Sequence, residues 1–278
     1  FAAQTAAWKS ACTQAGVALQ VIGESDGSGD EDLKHLELAL REAAAKPHGQ
    51  LWLVWIGHGT FDGREAKFNL RGPDVSVKSV VEWLKPSQRE LVIIQTASAS
   101  APFLTSLAGP KRIIVSSTKG ADEVFYARFG EFFAPAIAGL AEADLDQDQQ
   151  VSVLEAFLHA SRKTAEFYEE EGRLATEHAL IEDNGDGVGT RAEIFTGVTA
   201  NPPEGTKADG TRASQIALVL SAEEAALPDA VRARRDSLET KLEQLKASRV
   251  KLGEDAYYAE VEKLLRELSA LYANPSSS

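Results

Sequence analysis

Short apolar segments that follow amphipathic helical patterns constrain the fold of this chain more than any other feature of its sequence. The strongest of them are LWLVWIG at 51–57, LVIIQ at 91–95 and RIIVSS at 112–117. The first has no alternation of apolar and polar residues, which is typical of a strand buried on both faces of a parallel sheet. Helical spacing of apolar residues precedes or separates these segments over 1–15, 32–46 and 76–85. The sequence therefore predicts an α/β fold with a mostly parallel sheet and right-handed crossovers.

The remaining segments predict further elements around this core. They are a strand at 17–23, a loop at 24–30, helices over 126–182 around an acidic loop, a linker at 201–211, a strand at 216–220 and an αα-hairpin over 224–272 broken at Gly253. The predicted organisation is an α/β domain over 1–200, a linker with a candidate strand over 201–221, and a helical hairpin with a frayed tail over 222–278. In an α/β pattern a strand normally precedes each helix, and the helical spacing of this chain begins at Phe1. We therefore also expect one strand upstream of Phe1.

The formal net charge of −13 limits the partners of this chain. It arises from 29 Lys and Arg residues against 42 Asp and Glu residues, so nucleic acid and anionic membrane surfaces are repelled. The longest apolar run, at 51–56, is far shorter than the about 20 residues that span a bilayer. The single cysteine, Cys12, excludes an internal disulfide framework and a cysteine-rich zinc site. Cations and basic partners are the ones that this charge leaves open, and the cellular compartment stays undetermined.

A histidine between glycines follows the first buried strand, in the segment IGHGTFDG at 56–63. Ligands of open α/β sheets bind at the carboxyl ends of the strands. His58 is there a candidate general base, and the N–H of Gly59 is a candidate oxyanion donor, because glycine lets a backbone approach a substrate closely. The alternative interpretation is that His58 only hydrogen-bonds a loop carbonyl.

The next strand ends in a run of small residues, TASASAPF at 96–103. With the His-Gly pair, this arrangement resembles the caspase-like cysteine peptidases, and most closely the legumain family. In that family one strand ends in His-Gly and the next in a turn such as Gln-Ala-Cys, which matches Gln95, Thr96 and Ala97. The resemblance covers about residues 1–140 and implies a three-layer sandwich. It makes His58, Gly59 and Ala97 the catalytic positions, with the N–H groups of residues 59 and 97 as the oxyanion hole.

The segment RIIVSSTKG at 112–120 extends the resemblance to the following strand and loop. In the legumain family this region borders the pocket for the P1 residue of the substrate. The resemblance therefore implies that Ser116, Ser117 and Thr118 border such a pocket here, with Gln95 lining it.

The nucleophile of the family is missing, because alanine occupies the cysteine position. A methyl group supplies neither a lone pair nor a proton, and cysteine chemistry needs both. The sequence is therefore interpreted as a peptidase-fold protein without its nucleophile, a pseudopeptidase that binds a peptide or protein partner near His58 and Ala97. Two alternatives stay open: a cysteine endopeptidase, a hydrolase, inactivated by replacement of Cys by Ala97, and a calcium-stabilised structural scaffold.

Two acidic loops are candidates for structural calcium sites. DLDQDQQVSVLE at 144–155 has the oxygen-ligand order of an EF-hand loop, with Gln149 in place of the usual glycine at its sixth position. Its predicted ligands are Asp144, Asp146, Asp148, Gln150, Ser152 and Glu155. A weaker candidate is EDNGDGVGTRAE at 182–193, with Glu182, Asn184, Asp186 and Glu193. The alternatives are an acidic connector in which Ser152 caps the next helix, and a plain tight turn.

The C-terminal hairpin has two interpretations. Amphipathic helical pairs usually pack on their own domain. The functional alternative is an arm for homo-oligomerisation or for capture of a partner.

Overall fold

The computed structural model describes residues 1–24, 31–203 and 206–273. Its helices are α1 (Ala2–Ala15), α2 (Asp32–Ala44), α3 (Val77–Leu84), α4 (Ala101–Leu107), α5 (Phe129–Ile137), α6 (Val153–Glu170), α7 (Ala222–Ala226), α8 (Asp229–Leu252) and α9 (Glu254–Ala273). Its strands are β1 (Gln50–Trp55), β2 (Gly59–Phe61), β3 (Ala66–Phe68), β4 (Val75–Ser76), β5 (Glu90–Gln95), β6 (Arg112–Ser116), β7 (Leu180–Glu182), β8 (Thr190–Arg191), β9 (Phe195–Thr196) and β10 (Thr199–Ala200).

The central sheet of the described residues has the strand order β1-β5-β6-β7-β8. Strands β1, β5 and β6 are parallel, β7 is antiparallel to β6, and β8 is antiparallel to β7. All strands except β7 therefore run in one direction, and the mostly parallel sheet is confirmed. The register pairs Trp55 with Gln95 and Gln95 with Ser116, so the parallel strands end together at one edge, which we call the carboxyl edge.

Helices cover both faces of this sheet, as expected for strands that are apolar on both sides. The first face, with Val92 and Ile94, packs against α1, α5 and α6. The second face, with Leu91 and Ile93, packs against α2, α3 and α4. Successive residues of a strand point to opposite faces, so one apolar strand serves both layers. The architecture is a three-layer α/β sandwich, as the sequence predicts.

Three predicted elements are wrong. Residues 17–22 form no strand, and Val17, Leu19 and Val21 are exposed. The long helix predicted to continue to residue 182 ends at Glu170, followed by Gly172 in the left-handed conformation, a common helix terminator. Residues 180–182 form strand β7 because the edge of β6 pairs with them. The strand predicted at 216–220 is reduced to a single bridge between Ala217 and Ser152.

The chain divides into two compact units, of which the second begins at Leu220. The second unit contains α7, α8 and α9, and Gly253 separates α8 from α9. The predicted helical hairpin is thus confirmed, and its role in oligomerisation stays a prediction. The predicted tail at 274–278 and most of the predicted loop at 24–30 lie outside the described residues. Within the described ranges, no helix combines the length and apolar character needed to cross a membrane.

Candidate functional site

His58 lies at the carboxyl edge, three residues after the end of β1, and its side chain is exposed. Two aromatic rings pack around it: the ring centroid of Phe1 is 5.1 Å away and that of Tyr126 is 5.8 Å away. The backbone carbonyl of His58 accepts a hydrogen bond from the N–H of Asn69 at 2.9 Å. The imidazole itself has no hydrogen-bond partner among the described residues, so it is available to an incoming ligand.

Gly59 is buried against the turn that follows β5. Its N–H donates to the hydroxyl of Ser98 at 3.1 Å, and that hydroxyl donates to the carbonyl of Gly59 at 2.9 Å. A Cβ atom at position 59 would lie 2.1 Å from the carbonyl oxygen of Ser98. Only glycine allows this approach. The packing of these two segments therefore requires glycine at position 59, whether or not its N–H has a catalytic role.

Ala97, at the predicted nucleophile position, is only 1% exposed and packs in the core of the second face. Its N–H donates to the side-chain oxygen of Gln95 at 3.2 Å, and its carbonyl accepts from the hydroxyl of Ser117 at 2.6 Å. The two N–H groups predicted to form an oxyanion hole, those of residues 59 and 97, therefore both have acceptors within the chain. A substrate oxygen would have to displace Ser98 and Gln95 to reach them.

A buried network of hydroxyl groups joins the ends of β5 and β6. The Thr118 hydroxyl oxygen accepts from the N–H of Ser100 at 2.8 Å and from that of Ala101 at 3.2 Å. The hydroxyl of Ser100 lies 3.0 Å from that of Thr118 and 3.2 Å from that of Ser117. The hydroxyl of Ser116 donates to the carbonyl of Thr118 at 2.9 Å. The hydroxyl groups of the residues predicted to border a P1 pocket are thus bonded to the backbone and, for Ser117 and Thr118, to the hydroxyl of Ser100.

Gln95, the fourth residue of that predicted pocket, is also buried beneath the carboxyl edge. Its side-chain oxygen accepts from Ala97, whereas its Nε2 has no hydrogen-bond partner. The predicted pocket residues therefore lie together, as the resemblance implies, but below the surface.

The sequence interpretation missed a group of exposed aromatic side chains beside His58. Phe1, Phe125 and Tyr126 are 46%, 66% and 36% exposed, and the rings of Phe1 and Tyr126 lie 5.7 Å apart. We call Phe1, His58 and Tyr126 the aromatic patch; Phe125 directly precedes Tyr126 in the chain. The available signal was the run Val-Phe-Tyr at 124–126, three large apolar residues in a loop.

Two carboxylates hold the loop that bears the patch. Glu123 accepts from the N–H of Lys119 at 2.9 Å and from the N–H of His178 at 3.1 Å. Glu177 accepts from the N–H groups of Arg128 and Phe129 at 2.8 and 3.0 Å, at the start of α5. Burial raises the pKa of Glu177. Because the backbone on both sides of Phe125 and Tyr126 is anchored, the patch is organised before any ligand arrives.

The first acidic loop brings its three aspartates together. Asp144, Asp146 and Asp148 each place one carboxylate oxygen within 4.8 Å of the others. Burial, followed by the charges of Glu155, Asp148 and Asp144, raises the pKa of Asp146 to about 6. Gln149 adopts the left-handed conformation, with φ of 70°, so the turn usually made by glycine forms without it. The arrangement is a cluster of mutually repelling oxygen ligands of the type that hard cations bind.

The three other predicted ligands of this loop have different partners. Ser152 and Glu155 form a capping box at the start of α6, in which the N–H of Ser152 donates to Glu155 at 2.8 Å. The other oxygen of Glu155 accepts from the N–H of Leu145 at 2.7 Å. The Gln150 side chain donates to Asp148 at 2.8 Å. The capping interpretation of Ser152 is therefore confirmed, and Glu155 faces the loop through one oxygen only.

The second acidic loop uses its carboxylates within the turn. Glu182 accepts from the N–H of Gly185 at 2.6 Å, and burial is the main cause that raises its pKa to about 7. Asn184 and Asp186 accept from backbone N–H groups two residues further on, at 2.9 and 2.7 Å. Glu193 is exposed and pairs with Arg191 at 3.0 Å. These contacts describe a tight turn, the alternative that the sequence left open.

No family model matches this chain, and no curated protein matches it. Among solved structures, the chain is similar to the crystal structure of protein GSU0716 from Geobacter sulfurreducens, at 12% identity and a TM-score of 0.42. That match covers 68% of this chain and 87% of the other. The resemblance to the legumain family stays a prediction.

Proposed function

We propose that this chain is a peptidase-fold protein without catalytic activity that binds a peptide or protein partner at the carboxyl edge of its sheet. The observation that carries the proposal is the closed turn around residue 97. Alanine stands at the nucleophile position, and the N–H groups of residues 59 and 97 are bonded to Ser98 and Gln95. A site bonded in this way has no free donor for the oxyanion of an acyl-transfer reaction. Such donors usually make the largest contribution to stabilising the transition state.

The aromatic patch supplies the binding surface in this proposal. Contiguous exposed apolar residues on a soluble protein mark interaction sites, and aromatic side chains are frequent anchors of such interfaces. The imidazole of His58 offers a hydrogen-bonding group in the middle of these rings. An extended peptide with an apolar or aromatic side chain fits this combination, because its side chain packs on the rings and its backbone bonds to His58.

The Tyr126→Ser variant tests this proposal, because the ring of Tyr126 lies 5.8 Å from that of His58. Peptides are selected from a random library on the wild-type chain, and their affinities are measured by fluorescence anisotropy. We expect the variant to bind them at least about fivefold more weakly, because loss of one buried aromatic contact at an interface costs about 1 kcal/mol or more. Leu174→Ser is the matched control, since Leu174 is 89% exposed outside the patch. Selected peptides that bind the Tyr126 variant as well as wild type would contradict the proposal.

A second candidate function, a structural calcium site, rests on the three converging aspartates of the first loop. Calcium binds six to eight oxygen atoms, and carbonyls and water complete such sets in proteins. Bound calcium would remove the repulsion between the carboxylates, which adds to burial in raising the pKa of Asp146. The site would stabilise the loop between α5 and α6, with no part in catalysis.

Calcium is expected to raise the melting temperature of the chain at pH 7.5 and to have no effect after Asp146→Asn. A ligand that binds only the folded state stabilises it by about 2.7 kcal/mol at a concentration of a hundred times its Kd. Because the pKa of Asp146 is about 6, protons compete with calcium below that pH, and the effect fades between pH 7 and pH 5. The measurement is differential scanning calorimetry with calcium or EDTA, with Asp186→Asn in the second loop as the control. An unchanged melting temperature at pH 7.5 would exclude the site.

A further inference from the structure

Helix α9 carries a line of apolar side chains that stays largely exposed. Tyr258, Leu265 and Tyr272 are 53%, 49% and 55% exposed. Val261 and Leu268 lie between them and are half-buried. These five residues, which we call the α9 stripe, follow one another at intervals of three or four. Such spacing is the a and d pattern of a helix that packs along a second helix.

A different set of side chains faces helix α8. Leu264 is buried and lines a groove together with Leu245 of α8. Tyr257 and Leu271, seven residues before and after Leu264, are half-buried. They form a second apolar line beside the α9 stripe. Helix α9 is therefore apolar toward two sides, and its pairing with α8 covers one of them.

The second compact unit buries few apolar side chains by itself. Among its described residues, the buried apolar side chains are those of Val231, Leu238 and Leu264. Small units with so little core usually need a further source of stability, and oligomerisation is one of the common solutions. An antiparallel pair of amphipathic helices completes its core when a second pair packs on it, as in a four-helix bundle.

The α9 stripe is nearly symmetric about Leu265. A tyrosine lies seven residues before it and another seven residues after it, and the aliphatic Val261 and Leu268 lie between. Two identical helices that pack antiparallel about Leu265 therefore place Tyr258 of each copy beside Tyr272 of the other. The aliphatic side chains meet at the centre. A two-fold interface between copies requires self-complementarity of this kind.

The charges beside the stripe favour the same arrangement. Glu262 and Arg266 pair at 2.5 Å and are 63% and 78% exposed, so both are accessible. In the antiparallel pair Glu262 of one copy lies opposite Arg266 of the other, and this contact between opposite charges occurs twice. A parallel pair would instead bring the acidic first turns together, which contain Glu254 and Asp255. Like charges at that distance repel.

We propose that the α9 stripe is a homodimerisation surface, on which α9 of a second copy packs antiparallel with the two-fold axis at Leu265. The contact covers the three exposed side chains of the stripe and joins two helical hairpins into one four-helix arrangement. It uses residues of the second unit alone, so it is separate from the binding proposed at the carboxyl edge.

Cysteine cross-linking tests the direction of the helices. The variants Leu265→Cys, Tyr258→Cys and Tyr272→Cys are prepared in a Cys12→Ser background, oxidised mildly and analysed by non-reducing electrophoresis. A disulfide forms only where two Cα atoms lie within about 7 Å. We expect Leu265→Cys to link to itself, and Tyr258→Cys to link to Tyr272→Cys in an equimolar mixture. Linkage of Tyr258→Cys to itself instead of to Tyr272→Cys would overturn the proposal.

Sedimentation equilibrium tests the association itself. We expect wild type to dimerise reversibly and Leu265→Ser to dimerise at least about tenfold more weakly, because the two-fold axis removes the apolar contact of both copies. Leu38→Ser is the matched control, since Leu38 is 57% exposed in α2, outside the second unit. Circular dichroism verifies that the helical content of each variant is unchanged. A wild-type chain that stays monomeric, or a Leu265→Ser variant that dimerises as well as the control, would overturn the proposal.

Discussion

Replacing Gly59 by alanine lowers the free energy of unfolding by about 3 kcal/mol, at the upper end of the usual cost of overpacking. The added Cβ would lie 2.1 Å from the backbone oxygen of Ser98 and 3.3 Å from that of Lys67. Neither oxygen belongs to a flexible side chain, so the two strand ends must separate. Their separation also breaks the paired hydrogen bonds between Gly59 and Ser98.

Gly63→Ala, in the turn between β2 and β3, is the matched control for this experiment. Nothing lies within 4 Å of a Cβ at position 63, and its φ is +89°. We expect only the cost of a left-handed alanine, about 1–2 kcal/mol. Urea denaturation at 25 °C measures both variants. Equal losses in the two variants would contradict the tight contact between the strand ends.

Thr118→Val lowers the free energy of unfolding by a similar amount, about 3 kcal/mol. Valine keeps the shape of threonine and removes the oxygen that accepts from the N–H groups of Ser100 and Ala101. Each buried donor left without an acceptor costs about 1–3 kcal/mol. The hydroxyl of Ser100 loses a partner as well.

Thr164→Val is the control for Thr118, since both threonines are buried. The hydroxyl of Thr164 donates to the carbonyl of Ala160 inside α6, a carbonyl that a helical N–H also uses. Its removal leaves no buried group unpaired, and we expect a loss below about 1 kcal/mol. A Thr118→Val variant as stable as the control would show that the hydroxyl network does not hold the turn.

The core of this fold follows from the sequence because local patterns determine it. Residues 91–95 are apolar throughout, which only a strand covered on both faces accommodates, and the helical spacing of 76–85 places Val80 and Trp83 in the core. The elements that the sequence predicts wrongly depend on strand pairing with residues that are distant in the chain. Segment 17–22 has the composition of a strand but pairs with no strand among the described residues, and β7 forms because the edge of β6 is available.

The position of the candidate site could be predicted from the sequence, but the hydrogen bonds within it could not. The rule that ligands bind at the carboxyl ends of parallel strands places His58 and Ala97 at the same edge. It does not reveal that the hydroxyl of Ser98, 39 residues away, accepts a hydrogen bond from the N–H of Gly59. Contacts over such a separation depend on how closely two loops approach. The aromatic patch likewise depends on Phe1 and Tyr126 meeting across the whole domain.

The most direct test of the proposed function restores the missing thiol. Ala97→Cys is prepared in a Cys12→Ser background and treated with a peptide chloromethyl ketone library varied at the P1 position, which alkylates an activated thiolate only where the peptide docks. Labelling after unfolding confirms that the thiol is present, and the melting temperature reports whether the variant folds. Our account predicts no labelling of the folded protein beyond that of a matched His58→Ala variant, because Ala97 is buried and the N–H groups around it are bonded. Rapid labelling that disappears with His58→Ala would contradict it and would identify an intact peptidase site that lacks only its cysteine.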